Sequence, residues 1–239
     1  MLEMTNHQLQ IKRFVFGPFQ TNTYVVSVSP KDGLSAKRSV SANGLSGEAG
    51  LLLIDPACST DYEQQELYNY LNRQSIVPRQ SSNRQFSIVS THGHLDHLWG
   101  AKWATEQWQT PILMHEADIP LAQAMQDQYD LFGIPLKAKP FPIDTINLQR
   151  DDFFQLSSFN FQLLSTPGHT PGSICLYFPE EKILFSGDTL FRMGYGRTDL
   201  PGGNTSQLIS SLQTLFALPG DVRVFPGHGQ ETTIAAERR

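Results

Sequence analysis

Apolar residues in this chain come in short runs separated by Gly and Pro, not in long helical stripes. Residues 11–16 and 22–28 read as two strands of a hairpin, joined through Gly17-Pro18. Leu51-Leu52-Leu53-Ile54 is a continuous apolar run and predicts a buried strand that ends at Asp55-Pro56. Residues 61–72 place apolar side chains at 62, 67, 70 and 71, which predicts an amphipathic helix. Residues 86–90 predict a further strand and residues 98–108 a helix, with Trp99 and Trp103 one turn apart on a shared, core-facing side. Residues 117–128 predict a helix, and Gly133, Pro135, Pro140 and Pro142 an irregular connection after it. From Phe153 to Asp188 short strands alternate with turns. Residues 205–217 predict a helix with Leu208, Ile209, Leu212, Leu215 and Phe216 inward and Asn204 or Thr205 as N-cap. Two segments break the pattern: residues 29–50, rich in Ser, Gly, Ala and Lys, predict a surface loop or insertion, and residues 78–85 a polar linker.

Composition narrows the class. At 239 residues with 39% hydrophobic and 17% charged positions, the chain has the profile of one globular domain with a substantial core. The net charge of −5, with no basic run, gives nucleic acid no electrostatic footprint. No run reaches the length of a membrane span. The first eight residues lack the apolar core of a secretory signal. Two cysteines far apart, Cys58 and Cys175, are expected to be free structural thiols, which suits a reducing, cytoplasmic setting.

The chemistry is concentrated in Thr91-His92-Gly93-His94-Leu95-Asp96-His97, directly after a predicted strand. Imidazole and carboxylate are the donors that zinc, iron and manganese accept, and polar side chains at that density in a core would otherwise stay unsatisfied at a free-energy cost. Alternation on an extended turn lets His92 and His94 share a face. Asp96 falls at a helix start, where unpaired N–H groups stabilise a carboxylate. His169 in Thr166-Pro-Gly-His169, Asp188 in Ser186-Gly-Asp188 and His228 in Pro226-Gly-His-Gly229 each follow a short apolar run. Each is thus expected on a Gly-containing turn at a strand end, where a scaffold presents functional groups. No Gly-x-Ser-x-Gly elbow or cysteine nucleophile motif competes with this reading. His7 and His115 stand outside the series and are expected to be a solvated residue and a hydrogen-bonded strand-end residue.

The order HxHxDH, then His, then Asp, then His resembles the metallo-β-lactamase superfamily. Ser186-Gly-Asp-Thr-Leu190, Gly196-Arg-Thr-Asp-Leu-Pro-Gly-Gly203 and Pro226-Gly-His-Gly229 further resemble the short glyoxalase II-like hydroxyacylglutathione hydrolases. The resemblance covers residues 11–235. It implies an α/β fold, a four-layer αβ/βα sandwich spanning residues 1–239 with the metal site at one edge of the two sheets. It implies one metal on His92, His94 and His169, a second on Asp96, His97 and His228, and Asp188 bridging them. Two divalent ions are then expected, zinc first and iron or manganese as alternatives, with Asp96 and Asp188 as the catalytic carboxylates. The activity implied is hydrolysis of a small thioester, of hydroxyacyl-glutathione type, by attack of a metal-bridging hydroxide. Arg197, Tyr195 and Arg192 are the expected substrate contacts, Arg197 either for a substrate carboxylate or in a loop network with Asp199. The chain ends soon after His228, without the C-terminal helical extension that long forms use to grip glutathione, so only modest preference for that thiol is expected. An alternative within the fold is a mononuclear iron persulfide dioxygenase, against which the Pro-Gly-His-Gly context weighs. Outside enzymes the alternative is a non-catalytic metal-binding module. The expected partner is a small-molecule thioester, with no nucleic acid or membrane, and the oligomeric state stays open.

Overall fold

A computed structural model describes residues 7–30, 50–73, 86–146, 153–156 and 159–238. Most of the loop expected at 29–50 and the linker at 78–85 lie outside the described residues.

The first sheet is built from β1 (His7–Phe16), β2 (Thr21–Pro30), β3 (Gly50–Ile54), β4 (Phe86–Val89), β5 (Ile112–His115) and β6 (Ile143–Ile146), side by side in that order. β1, β2 and β3 pair antiparallel, and β3 to β6 run parallel. The parallel part needs crossovers. They are supplied by α1 (Asp61–Arg73), by α2 (Leu95–Leu98) with α3 (Ala101–Trp108), and by α4 (Ile119–Gln123) with α5 (Met125–Leu131). The second sheet comprises β7 (Phe153–Leu156), β8 (Phe159–Ser165), β9 (Ile174–Phe178), β10 (Ile183–Gly187), β13 (Arg223–Pro226) and β14 (Thr232–Thr233), in the spatial order β14-β13-β10-β9-β8-β7. A two-residue hairpin, β11 (Leu190–Phe191) and β12 (Gly194–Tyr195), follows β10. α6 (Thr205–Phe216) and α7 (Ile234–Glu237) complete the chain.

The period of two along each strand sorts its side chains into layers. Leu51 and Leu53 pack with Leu67, Leu71, Leu98 and Ala104 of the helices. Leu52 and Ile54, on the other face, meet Phe161, Leu176 and Phe185 of the second sheet. On that sheet Cys175, Tyr177 and Leu184 turn away to Leu208, Leu212 and Leu215 of α6. Three apolar cores between four layers are the αβ/βα sandwich that the resemblance implied.

Two details differ from the expectation. The helix expected at 98–108 is broken at Trp99-Gly100, because Gly100 lies against the segment after β3. A side chain there would sit 2.3 Å from Cys58 Sγ, while the Gly100 N–H donates to the Pro56 carbonyl at 2.8 Å. Ile209 is exposed, off the stripe formed by Leu208, Leu212 and Leu215. β6 pairs with β5 and carries the first sheet to Ile146. Asn204 does cap α6, accepting from the Gln207 N–H. Cys58 and Cys175 are free and buried, and burial pushes their thiols up to about 12 and about 11. Among the described residues no helix is long and apolar enough to cross a membrane.

Leu52 is fully buried between the sheets whereas Tyr62 on α1 is 80% exposed. Leu52→Ala is expected to cost about 2–5 kcal/mol of unfolding free energy and Tyr62→Ala less than about 0.5 kcal/mol, as read from denaturant midpoints.

Candidate metal centre

Five loops at one edge of the sandwich supply the site. β4 delivers His92, His94, Asp96 and His97; β8 delivers His169; β10 delivers Asp188; β13 delivers His228. The turn after β3 supplies Asp55 and the start of β2 supplies Thr21 and Asn22. The loops approach so closely that side-chain bulk is forbidden in places. A Cβ at Gly227 would lie 2.1 Å from Asp188 Oδ1, and one at Gly168, whose φ is +132°, 2.2 Å from the Leu208 nitrogen.

The seven residues expected as ligands are brought together. Candidate ligand atoms of His92, His94 and His169 lie within 4.8 Å of one another, as do those of Asp96, His97 and His228, and those of His92, His97 and Asp188. The Asp188 carboxylate faces both triads: its Oδ1 is 3.3 Å from His97 Nε2, and its Oδ2 is 3.5 Å from His169 Nε2 and 3.4 Å from His228 Nε2. Asp96 Oδ2 lies 3.2 Å from His228 Nε2 and 3.5 Å from His97 Nε2.

The outward ring nitrogens are tied to the scaffold, which fixes the ring orientations. His97 Nδ1 donates to Asp55 Oδ2 at 2.9 Å, His169 Nδ1 to the Arg197 carbonyl at 2.7 Å and His228 Nδ1 to the Phe19 carbonyl at 3.1 Å. His92 Nδ1 lies 3.1 Å from Thr91 Oγ1, which donates onward to Asp55 Oδ2 at 2.8 Å. Asp55 also accepts the Thr91 N–H and holds a left-handed φ of +52°, a strained conformation for a residue with a side chain. Thr21 Oγ1 donates to Asp96 Oδ2 at 2.7 Å.

The inward nitrogens have no such partners. His92 Nε2, His94 Nε2, His97 Nε2 and Asp188 Oδ1 are buried without a hydrogen bond. His94 Nδ1 is 2.9 Å from His169 Nε2, and two imidazole nitrogens that close need a proton or a cation between them. Orphaned lone pairs in a buried cluster carry a free-energy cost that bound cations remove. The donor set therefore fits divalent metal.

Protonation follows burial and neighbours. Burial holds the His92 imidazole far below its ordinary value and His94 down at about 3. Burial also opposes charge on His97 and His228. It is outweighed at His97 by Asp96, Asp188 and Asp55, which raise that ring, and at His228 by bonds to Asp188 and Asp96, which lift it to about 9. The carboxylates answer in kind. Burial would raise Asp96, but His97 and His228 hold it at about 2, and the same two rings hold Asp188 well below the usual carboxylate range.

Above these residues opens a cavity of about 150 Å³, walled by Phe19, Phe132 and Leu200, with Arg197 at its rim. Arg197 forks onto Asp199 through two bonds of 2.6 Å. Arg192 and Tyr195 do not line this cavity: Tyr195 is exposed on β12, and Arg192 donates to Gln230 Oε1 beside a second cavity. His115 accepts the Ala117 N–H and caps the turn after β5. The side chain of His7 lies outside the described residues.

Sequence reading missed the supporting groups. Asp118 is fully buried and accepts from the Gly93 N–H, the Thr170 hydroxyl and the Gly172 N–H, so one carboxylate ties the His94 turn to the His169 turn. Gln128 accepts from the Leu95 N–H and donates to the Gly93 carbonyl.

A model of the metallo-beta-lactamase superfamily matches residues 39–228, and the chain belongs to that superfamily of metallo-hydrolases. It is 40% identical over 154 residues to hydroxyacylglutathione hydrolase GloC of Haemophilus influenzae, covering 64% of this chain and 72% of the relative. It is 30% identical over 230 residues to the probable metallo-hydrolase YqgX of Bacillus subtilis, covering 95% and 93%. Among solved structures, TTHA1623 in a di-iron-bound form superposes with a TM-score of 0.73 at 30% identity, covering 95% of this chain and 97% of that one.

Two predictions follow from these contacts. Asp188→Ala should reduce bound metal, measured by elemental analysis, and His115→Ala should leave it unchanged; equal stoichiometry in both variants would contradict the site. Metal must displace the proton that His228 holds up to about pH 9. His97, raised well above its ordinary value, must give up its proton as well. Apparent metal affinity should therefore rise with pH across the neutral range by about tenfold per pH unit per proton released, and less steeply once His228 has lost its proton near pH 9, measured by competition with a chromophoric chelator.

Proposed function

We propose that this chain is a dinuclear metallo-hydrolase that cleaves small acyl thioesters of the hydroxyacyl-glutathione type. The observation that carries the proposal is the place of Asp188, whose carboxylate lies 3.3–3.5 Å from ring nitrogens of both triads, His169 of one and His97 and His228 of the other. Likeness to GloC supports the substrate class.

His92, His94 and His169 would hold one ion, Asp96, His97 and His228 a second, and Asp188 both. Zinc is the metal proposed, and iron or manganese suit the same mixed donors. Bound ions of this kind supply a water-derived nucleophile at neutral pH and a Lewis acid for a carbonyl oxygen. The rest is done by the chain. Asp96 and Asp188 remain ionised at neutral pH, so they offset cationic charge and accept hydrogen bonds from the attacking water. Thr21 Oγ1 fixes one Asp96 oxygen, and Asp55, Phe19 and Arg197 fix the rings, so little reorganisation is needed on reaction.

Phe19, Phe132 and Leu200 give the substrate an apolar wall. Phe19 and Phe132 touch edge to face, with ring centres 5.5 Å apart. Arg197 is more than half exposed, so its pair with Asp199 is open to solvent and its guanidinium is within reach of a substrate. A substrate carboxylate would compete with Asp199 for the same guanidinium fork.

The test compares lactoyl thioesters of glutathione and of a truncated thiol. Both are expected to be hydrolysed, with modest preference for glutathione. Arg197→Ala should raise KM by roughly three- to tenfold with kcat little changed, the signature of uniform binding. Oxygen uptake with glutathione persulfide, without thioester cleavage, would overturn the proposal, as would a fully loaded protein holding one metal.

A further inference from the structure

A second cavity, of about 670 Å³, is lined by residues of β1, β10 and β13 and of the segment after β13. It shares no lining residue with the cavity over the metal cluster. Its floor is apolar: Leu9 and Ile11 from alternate positions of β1, Ile183 from β10 and Phe225 from β13. Its rim carries three guanidinium groups, Arg13, Arg192 and Arg223, against a single carboxylate, Glu231. In a chain of net charge −5 this is a local reversal of sign.

The rim charges are unequally compensated. Arg223 donates to Glu231 at 2.7 Å and lies 4.9 Å from the Phe225 ring centre. Arg13 donates to the Gly229 carbonyl at 2.8 Å, and Arg192 to the Gln230 side-chain carbonyl at 2.5 Å. Both acceptors are neutral, and among the described residues no carboxylate lies within ion-pair distance of Arg13 or Arg192. Each guanidinium has five donors, so these single bonds leave most of its fork open. The cleft is open to solvent on one side and large enough to seat a small organic molecule.

We infer that this cleft binds an amphipathic organic anion, a carboxylate or phosphate head held by Arg13 and Arg192 with an aliphatic or aryl body over Leu9, Ile11 and Phe225. Head and body are both needed. The guanidiniums recognise the planar or tetrahedral oxyanion bidentately, and the floor contributes apolar burial that a bare ion cannot use. Arg13 and Arg192 hold Gly229 and Gln230, the two residues after His228, so an occupant shares its anchors with the loop that carries that imidazole.

The test is calorimetric titration of the metal-loaded protein with octanoate and with octyl phosphate, which separate the two head groups. Inorganic phosphate and octanol serve as head-only and body-only probes. Saturable binding of at least one amphipathic anion is expected, with both partial probes binding at least tenfold more weakly. Arg13→Gln/Arg192→Gln should weaken the amphipathic anion at least tenfold. Should that double variant fail to fold, Arg192→Gln alone, an exposed position, should weaken it at least threefold. Lack of saturable binding by either anion overturns the inference. Affinity unchanged in the folded arginine variants overturns it too, because the anion would then sit on the metal ions and not in the cleft.

Discussion

Among the described residues the two large sheets are joined by a single bridge, Thr21 to His228, and a few buried polar clamps between loops fix the alignment of their packed faces. Asn22, at the start of β2, donates its backbone N–H to Gly227 and its amide to Pro226 and Gly229. Tyr24 adds a bond from its hydroxyl to Pro226. These fasten the first sheet to the loop of His228. The Ile174 N–H donates to Thr91, and Asp118 fastens the His94 turn to the His169 turn. Apolar packing between sheets tolerates small slides; hydrogen bonds with fixed donors and acceptors do not. Without these clamps the ligand-bearing loops would still form, but nothing would hold them at ligand distance.

Much of the fold and of the cluster is legible in the sequence, for a physical reason. A strand end followed by Gly and a His or Asp is a local signal, and HxHxDH, His169, Asp188 and His228 all carry it. The layer assignment is equally local, because alternation in Leu51-Leu52-Leu53-Ile54 and Ile174-Cys175-Leu176-Tyr177 sorts side chains without knowledge of the partner sheet. What was not legible depends on pairs far apart in the chain. Asp118 meets Gly93 and Gly172, and Thr21 meets Asp96, across separations no periodicity encodes. A faint signal existed in Thr21-Asn22-Thr23, a polar triplet opening an otherwise apolar strand, since such residues when buried must find partners. The break at Gly100 is of the same kind: it is caused by Cys58 and Pro56, forty residues upstream.

Arg192 shows how a motif can mislead about place. In sequence it stands four residues after Asp188, which suggests the wall of the same cavity. The β11–β12 hairpin intervenes and turns the chain, so Arg192 reaches Gln230 on the flank of the sandwich, whereas Arg197 returns to the rim of the metal cavity. Proximity along a chain with a tight hairpin is a poor guide to proximity in space.

The electrostatics of the cluster explain why its scaffold can be rigid without being self-sufficient. Two carboxylates, Asp96 and Asp188, are kept ionised in a buried setting by His97 and His228, and those rings are kept protonated by the carboxylates. Protons thus stand in for cations at one end of the cluster. At the other end, burial and the neighbouring rings outweigh the pull of Asp188 on His92 and of Asp96 and Asp188 on His94, so these imidazoles stay neutral and their inward nitrogens bare. The protein compensates half of its own site and leaves the other half to a ligand. A site of that design binds metal with release of protons from the His97 and His228 side, while the His92 and His94 side gains the partners that folding alone does not provide.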